Sequence, residues 1–216
     1  MSIEKVVLLG GEEQKAKRLK KCSFDFEWAS SNFTFDPNIS LAHVLKDMGA
    51  DFEFAPNSDV NSQEFVEFLS TCPGREFIYS GKPGVLLDKA MLSYSGKRFL
   101  HAHGGRAPRY SGSTAFYYSI LEEGTIGATV FWMNQGIDTG EIVAIVERAV
   151  RPGLDIDFIQ DPLVRAEALV KAIECLEGNQ EESVNFPSEK RVAYHVIHPV
   201  LKSCALRKVN YSSGNN

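Results

Sequence analysis

The sequence predicts an α/β fold in which a mostly parallel sheet, with one antiparallel strand, carries helices on both faces. Apolar runs of strand length alternate with segments of helical periodicity, which is the pattern of a parallel sheet covered by helices. The exception is a pair of apolar runs, 127–133 and 141–150, that a connection of seven residues separates. That connection is too short for a crossover helix, so these two strands should be antiparallel.

Four strands are predicted in the first half of the chain. The apolar run KVVLL, closed by Gly10-Gly11, is typical of a strand buried on both faces. Helices are expected between the strands, and Ser40 and Gly49 are suitable cap residues for one of them. The strands cover residues 5–9, 51–55, 76–79 and 97–102, and the helices cover 12–21, 41–48, a segment that begins at Asn61-Ser62, and 83–92. The aromatic segment 22–37 has no clear period, so we expect a structured loop there.

The second half adds further helices around the antiparallel pair. A helix over 113–123 is predicted to end at Gly124, and Asp161-Pro162 is a suitable cap and first residue for a helix that Gly178 closes. The apolar stretch 194–206 predicts a last helix, and 212–216 predict a frayed end. The sequence has neither an internal repeat nor a linker, which predicts one domain over residues 1–216.

Composition argues against several classes of function. The chain has 216 residues, a formal net charge of −5 and no basic stripe, so a large nucleic-acid surface is not expected. No apolar run approaches the about 20 residues that span a bilayer, and the first run is too short for a signal peptide. The four cysteines are isolated, which indicates reduced thiols in a cytoplasmic protein.

Two histidines and an aspartate are the strongest candidates for chemistry. His101 and His103 are two residues apart at the end of a predicted strand, so their side chains should point to the same face. Asp138 lies in the Gly-Ile-Asp-Thr-Gly turn that joins the antiparallel pair. Imidazoles and a carboxylate at strand ends are the groups needed for proton transfer near neutral pH.

The segment around these three residues resembles the folate-dependent formyltransferases. That family has an Asn-x-His pair at a strand end, a Pro-x-Tyr-x-Gly loop, a helix, a strand and a Gly-x-Asp-Thr-Gly turn. His103 matches the family histidine and Asp138 the family aspartate, whereas His101 stands at the asparagine position. The other matching residues are Pro108, Tyr110 and Gly112 in the loop, Gly127, Ala128 and Thr129 at the strand start, and Gly136, Ile137, Thr139 and Gly140 in the turn.

The resemblance implies a single Rossmann-like formyltransferase domain, with a catalytic segment over 97–150 and a helical C-terminal region over 160–206. It implies an enzyme that moves a formyl group from 10-formyltetrahydrofolate to an amine through a tetrahedral intermediate at His103 and Asp138. His103 would be the oxyanion partner and proton shuttle, and Asp138 would orient it and help to accept the amine proton. His101 would donate a hydrogen bond to the formyl oxygen, either as a neutral imidazole with its N–H inward or as an imidazolium.

Two sets of binding residues follow from the same resemblance. The pterin is expected against the segment before the catalytic strand and against the aspartate turn, and the acceptor against the loop after His103. The expected cofactor-binding residues are Leu86, Leu87, Met133, Gln135, Gly136 and Ile137. The expected substrate-binding residues are Gly104, Gly105, Arg106 and Tyr110, of which Arg106 suits an anionic group.

Among the branches of the family, the small-substrate branch fits best. Methionyl-tRNA formyltransferases have a C-terminal tRNA domain, for which this acidic chain is expected to be too short. Glycinamide ribonucleotide formyltransferases have a Gly-rich phosphate loop after the first strand, where this chain has Glu12-Glu13. The expected partner is therefore a small-molecule amine, such as an amino sugar nucleotide, with no nucleic acid and no membrane. A homodimer stays open, with the segment 24–35 and the C-terminal helix as candidate faces.

Two alternatives use the same fold with different chemistry. His101, His103 and Asp138 form a two-histidine, one-carboxylate set that is suited to a divalent metal, which would give a metal-dependent hydrolase or lyase. The other alternative is a non-catalytic folate- or nucleotide-binding relative whose site lost its asparagine. The retained His103 and Asp138 argue against that loss, and a resident metal is not part of the preferred hypothesis.

Overall fold

The chain divides into two compact units, Met1–Thr71 and Cys72–Asn216. The computed structural model describes residues 3–10, 21–25, 32–36, 38–82, 84–94, 96–178 and 190–211. The predicted helix over 12–20 and the predicted frayed end over 212–216 lie outside the described residues. The sequence predicts one domain over 1–216 and gives no sign of this division, so each unit is described by itself.

Where the structure describes it, the first unit contains two strand pairs and two helices. The first strand pairs in parallel with the fourth, with Val6 opposite Phe52. Ser40 caps the first helix as predicted, because its Oγ accepts a hydrogen bond of 3.2 Å from His43 N. The elements are β1 Val6–Leu8, β2 Cys22–Asp25, β3 Asn32–Phe35, β4 Phe52–Phe54, α1 Leu41–Asp47 and α2 Gln63–Thr71.

The predicted loop over 22–37 is wrong for the part that the structure describes. β2 and β3 form an antiparallel pair, with Cys22 opposite Phe35 and Asp25 opposite Asn32. Phe and Thr alternate along Asn32–Phe35, and both residue types favour strands. A run of only four residues is too short for that alternation to stand out in the sequence.

The second unit is built on a four-stranded sheet. Its strand order is β5-β6-β8-β9; β5 and β6 are parallel, and β8 is antiparallel to both β6 and β9. Three strands therefore point one way and β8 points the other, which confirms the mostly parallel sheet with one antiparallel strand. The strands of this unit are β5 Glu76–Tyr79, β6 Arg98–His103, β7 Ser111–Gly112, β8 Thr125–Trp132, β9 Glu141–Ala149 and β10 Ala193–Tyr194.

Two helices of this unit begin differently from their predictions. α3 begins only at Lys89, where the Asp88 Oδ1 accepts a hydrogen bond of 2.8 Å from Met91 N. Asp161 was expected as a cap residue; instead it follows a π-helical turn, Ile156–Gln160, and is the first residue of α5. The helices are α3 Lys89–Tyr94, α4 Ala115–Glu122, α5 Asp161–Leu176 and α6 Pro199–Tyr211. None of the helices in the described part of the chain combines the length and the apolar composition that crossing a membrane requires.

The core of the second unit lies on one face of its sheet. Alternate residues of β6 and β8 pack there with side chains of α4, α5 and α6, so the core fixes the rotation of both strands. The sheet residues of this core are Leu100 and Ala102 of β6, Ile126, Ala128, Val130 and Trp132 of β8, and Ala144 and Val146 of β9. Because side chains alternate along a strand, His101 and His103 must lie on the opposite face.

Truncation of the core should cost much more stability than the same truncation at the surface. Ile120 in α4 is 0% exposed, whereas the Ile137 side chain is 54% exposed. Ile120→Ala should lower the free energy of unfolding by about 3 kcal/mol, and Ile137→Ala by less than about 0.5 kcal/mol. Urea unfolding followed by circular dichroism measures both, and equal losses would contradict this placement of the core.

Candidate active site

β6 brings both histidines to one face of the sheet. In the strand registers, His101 lies opposite Tyr79 of β5 and Phe131 of β8, and His103 lies opposite Thr129 of β8. The His101 ring is 5.8 Å from the Phe131 ring in an edge-on arrangement and 6.1 Å from the Tyr79 ring. The predicted same-face placement is therefore present, with an aromatic neighbour on each side of His101.

His103 is held between a backbone carbonyl and a carboxylate. Its Nε2 lies 2.9 Å from the Tyr110 carbonyl oxygen, and its Nδ1 lies 3.6 Å from Asp138 Oδ2. A carbonyl oxygen only accepts hydrogen bonds, so Nε2 carries a proton and Nδ1 faces the carboxylate. Burial lowers the pKa of His103, and the Asp138 carboxylate and the Tyr110 carbonyl oppose that shift. The structure thus brings together the histidine and the aspartate that the sequence singles out.

Asp138 is positioned by a tightly bonded turn. Its Oδ2 accepts a hydrogen bond of 2.6 Å from Gly112 N, and its backbone has φ of 50°, in the left-handed region. Asn134 braces the turn, because its Oδ1 accepts from Gly136 N at 2.9 Å and from Thr139 Oγ1 at 2.6 Å. Asn134 is a positioning residue that sequence reasoning missed, since asparagine is common in exposed turns.

His101 donates its own hydrogen bond to a strand carbonyl. Its Nδ1 lies 2.9 Å from the Tyr79 carbonyl oxygen, so Nδ1 carries a proton. Burial lowers the pKa of His101; the Tyr79 hydrogen bond opposes this, His103 and Arg165 add to it, and Asp138 opposes it. A neutral His101 consequently has a lone pair on Nε2. The expectation that a neutral His101 points an N–H at the formyl oxygen does not fit this hydrogen bond.

The loop after His103 is clamped by a buried threonine. Thr129 Oγ1 donates to the Gly105 carbonyl at 2.8 Å and accepts from Ala107 N at 2.9 Å. Gly105 is obligatory here, because a Cβ would collide with the Tyr110 carbonyl oxygen and would lie 2.8 Å from His103 Nε2. The loop thus keeps the His103 acceptor in place.

An ion pair on α5 flanks the histidines, and sequence reasoning missed it. Asp161 is buried and accepts from Arg165 Nε at 3.0 Å and from Arg165 Nη2 at 2.6 Å. A Cβ at Gly104 would collide with Asp161 Oδ1, so the pair lies directly against the loop. Burial raises the pKa of Asp161 and Arg165 opposes that shift. The sequence signal that could have revealed this ion pair is the Asp-x-x-x-Arg spacing on a predicted helix.

The predicted substrate-binding residues need correction. Tyr110 is 0% exposed, and its hydroxyl donates to Glu122 Oε2 at 2.8 Å, so its side chain does not reach a bound acceptor. It acts on the site through its carbonyl. Gly104 and Gly105 are buried and provide room for neighbouring atoms. The Arg106 guanidinium lies 3.6 Å from Glu123 and 3.7 Å from Glu147, and those carboxylates compete with an anionic acceptor for it.

The predicted cofactor-binding residues are mostly at the surface. Leu86 is 57% exposed, and Gln135, Gly136 and Ile137 are exposed as well. Met133 is half-buried. Leu87 is 8% exposed, which does not suit a direct contact with a ligand. The aspartate turn therefore exposes its tip to solvent, and Asp138 is half-buried; a cofactor contact at the turn stays a prediction.

The metal-dependent alternative finds no support in the described residues. Within them, no cluster of three or more His, Cys, Asp or Glu side chains is arranged to hold a metal ion. His101 and His103 each have one ring nitrogen bonded to a backbone carbonyl, which leaves one nitrogen per ring.

Comparisons of sequence relate the chain to formyl-transferring enzymes. A family model described as formyl transferase matches residues 42–173. The methionyl-tRNA formyltransferase of Syntrophus aciditrophicus is 28% identical over 124 residues, which are 56% of this chain and 39% of that protein. That of Koribacter versatilis is 25% identical over 150 residues, which are 68% of this chain and 46% of that protein. The chain spans less than half the length of these relatives.

Comparisons of structure give the same fold. HypX from Aquifex aeolicus, in complex with tetrahydrofolic acid, superimposes with a TM-score of 0.52 and 17% identity, covering 80% of this chain and 31% of HypX. A sugar N-formyltransferase from Shewanella sp. superimposes with a TM-score of 0.51 and 15% identity, covering 77% of this chain and 70% of that enzyme. At these identities the likeness concerns the fold.

Loss of the buried threonine hydroxyl should loosen the loop that holds His103. Thr129→Val removes two buried hydrogen bonds and leaves Ala107 N with only its hydrogen bond of 3.2 Å to the Gly105 carbonyl, so the free energy of unfolding should fall by about 2 kcal/mol. Thr125→Val is the matched control, because its hydroxyl bonds Glu147 at the exposed end of the same strand. Its loss should stay below about 1 kcal/mol in urea unfolding, and equal losses would contradict the clamp.

The two histidines should make the protein less stable in acid. Both have a pKa lowered below the ordinary value of about 6.5, so the unfolded chain binds protons that the folded chain does not. Above pH 6.5, these two histidines should therefore add no pH dependence to the free energy of unfolding. Below pH 6.5, the free energy of unfolding should fall as the pH decreases, by up to about 1.4 kcal/mol per pH unit for each histidine.

Urea unfolding between pH 7.5 and pH 5 measures this slope. His101→Asn should reduce it, and replacement of the exposed His195 by Asn should leave it unchanged. A slope that His101→Asn does not alter would contradict the burial of a neutral His101.

Proposed function

This chain belongs to the formyl transferase family, and on that premise we propose that it transfers a formyl group from 10-formyltetrahydrofolate to an amine of a small molecule. The observation that carries the proposal is the pair formed by His103 and Asp138. Formyl transfer to an amine places negative charge on the formyl oxygen and moves a proton away from the amine nitrogen. A histidine and a carboxylate held together at a strand end supply the groups for both tasks.

The His103–Asp138 pair is suited to hold one proton beside the reacting carbon. His103 Nε2 is fixed by the Tyr110 carbonyl, so the proton that the pair can exchange lies on the side of Nδ1 and Asp138 Oδ2. The distance of 3.6 Å between these atoms is longer than a hydrogen bond, and such distances in unliganded sites shorten when a substrate binds. The pair becomes the donor that we assign to the formyl oxygen when it takes up a proton.

We assign the folate to the exposed residues that the family resemblance selects. The exposed side chains of Leu86 and Ile137 are apolar, as contacts with a flat ring require, and the exposed Gln135 adds a polar group in the aspartate turn. Binding would bring the formyl group to this chain, whose own residues then orient it and manage its protons. HypX, which shares the fold, binds tetrahydrofolic acid, and this supports the same class of ligand here.

The acceptor that we propose is a small-molecule amine of the amino sugar nucleotide class. The net charge of −5 disfavours a tRNA-sized acceptor, and the Shewanella enzyme that shares the fold is a sugar N-formyltransferase. The curated relatives are named for methionyl-tRNA, so that acceptor belongs in the test. Cys175 and Cys204 are thiols, in keeping with a cytoplasmic location. A homodimer stays a prediction.

Calorimetric titration with 5-formyltetrahydrofolate, a stable stand-in for the formyl donor, tests the proposal first. Chelator-treated protein should bind it with micromolar affinity, and Asp138→Ala should weaken that binding. Absence of binding at millimolar ligand, together with zinc or iron in untreated protein, would overturn the folate hypothesis in favour of the metal-dependent one.

Measurement of turnover tests whether the chain catalyses formyl transfer. Protein with 10-formyltetrahydrofolate should formylate an amine from a panel of amino sugar nucleotides, and Asp138→Asn should lower kcat by a factor of about 10² to 10⁴ because proton transfer is lost. Asp47→Asn, which changes an exposed carboxylate of the first unit, is the control and should leave kcat unchanged. Binding without turnover on any amine or on methionyl-tRNA would favour the non-catalytic alternative, and transfer to methionyl-tRNA alone would overturn the small-molecule acceptor.

A further inference from the structure

The hydrogen bond between β5 and β6 decides which nitrogen of His101 is available for chemistry. His101 Nδ1 lies 2.9 Å from the Tyr79 carbonyl oxygen, and the two residues are directly opposite in the parallel register of these strands. The carbonyl can only accept, so the proton is on Nδ1. The register of the two strands thus places the Tyr79 carbonyl beside the His101 side chain.

The other ring nitrogen of His101 is accessible. Nε2 has no hydrogen-bond partner among the described residues. Nε2 is also not among the side-chain atoms of the described residues that are fully buried and lack a hydrogen bond. Since the residue as a whole is half-buried, Nε2 borders space outside the packed core. A neutral His101 therefore presents a lone pair, and not an N–H, to that space.

The surroundings favour this neutral form. Burial lowers the pKa of His101, and the positive charge of Arg165 from α5 and the neighbouring His103 of β6 lower it further. The Tyr79 carbonyl from β5 and the Asp138 carboxylate from the turn act in the opposite direction but are smaller in sum. From β8, the uncharged Phe131 ring lies 5.8 Å from the imidazole in an edge-on arrangement. His101 is thus a base in its resting state.

We propose that His101 Nε2 accepts the proton of the attacking amine, a role opposite to that of the asparagine amide whose position it occupies. This inference rests on the proposed function. The bond that forms joins the amine nitrogen to the formyl carbon, and the bond that breaks joins that carbon to N10 of the folate. One proton leaves the amine nitrogen for His101 Nε2, and one proton reaches N10 of the departing tetrahydrofolate, so the sum is neutral.

The two histidines then have separate tasks. His101 receives the proton, and the His103–Asp138 pair, 3.6 Å apart at its nearest nitrogen and oxygen, keeps the donor role toward the formyl oxygen. Relatives with an asparagine amide at this position have a second donor there and lack this acceptor. The exchange of asparagine for histidine accordingly replaces a hydrogen-bond donor at this position by an acceptor for the proton of a neutral attacking amine.

The tautomer of His101 can be measured without any substrate. Nitrogen-15 NMR of the imidazole rings at pH 7.5 should show His101 protonated at Nδ1 and bare at Nε2, with the signals assigned by their loss in His101→Asn. A ring protonated at Nε2 would overturn the inference directly. This result is independent of folate binding, so failure of the proposed function and failure of this inference are distinguishable.

Steady-state kinetics test whether His101 accepts the proton of the amine. In formyl transfer at pH 7, His101→Asn should lower kcat about 10²-fold, leave folate affinity within a few-fold in calorimetry, and remove the rise of kcat with pH below pH 6.5. Added imidazole should restore turnover to His101→Ala in proportion to its concentration. The control is His195→Asn, which changes an exposed side chain. Undiminished turnover in His101→Asn, or a decrease with an unchanged pH profile and no imidazole rescue, would overturn the proposal.

Discussion

The hydrogen bond from His103 Nε2 to the Tyr110 carbonyl is the interaction on which the site depends. It requires the chain to fold back within seven residues, so Gly105 must lack a side chain and Thr129 must hold the loop at two backbone atoms. Tyr110 is in turn anchored by Glu122 through its hydroxyl and stacks on Tyr194 at 5.8 Å between ring centroids. A set of contacts that looks like ordinary packing therefore fixes the tautomer of one imidazole.

The site also shows how two like side chains on one strand acquire unlike properties. Each histidine donates one N–H to a backbone carbonyl, but His101 does so through Nδ1 and His103 through Nε2. The nitrogen left on His103 faces a carboxylate, whereas the nitrogen left on His101 faces accessible space. The difference comes from the neighbouring strand and loop, and side-chain type has no part in it.

Sequence periodicity was sufficient for the sheet and for the pairing of β8 with β9, because a short connection permits only an antiparallel partner. The sequence motif likewise predicted that His103 and Asp138 lie close together, since a strand end and a Gly-rich turn can both be recognised from neighbouring residues in the chain. The burial of Tyr110, the Asp161–Arg165 pair and the hydrogen bond of His101 depend on residues far apart in the chain. No local pattern specifies which ring nitrogen a distant carbonyl will meet, and that detail decides whether His101 donates or accepts.

The left-handed backbone of Asp138, with φ of 50°, has a consequence for how this protein can change. A non-glycine residue in that conformation costs on the order of 1 kcal/mol, although aspartate tolerates it better than most residues do. Glycine would suit the backbone of the turn better and would lack the carboxylate. A change to glycine would therefore relieve the backbone but remove the acceptor of the Gly112 N–H and the carboxylate that faces His103, so this one residue of the turn is tied to both the fold and the site.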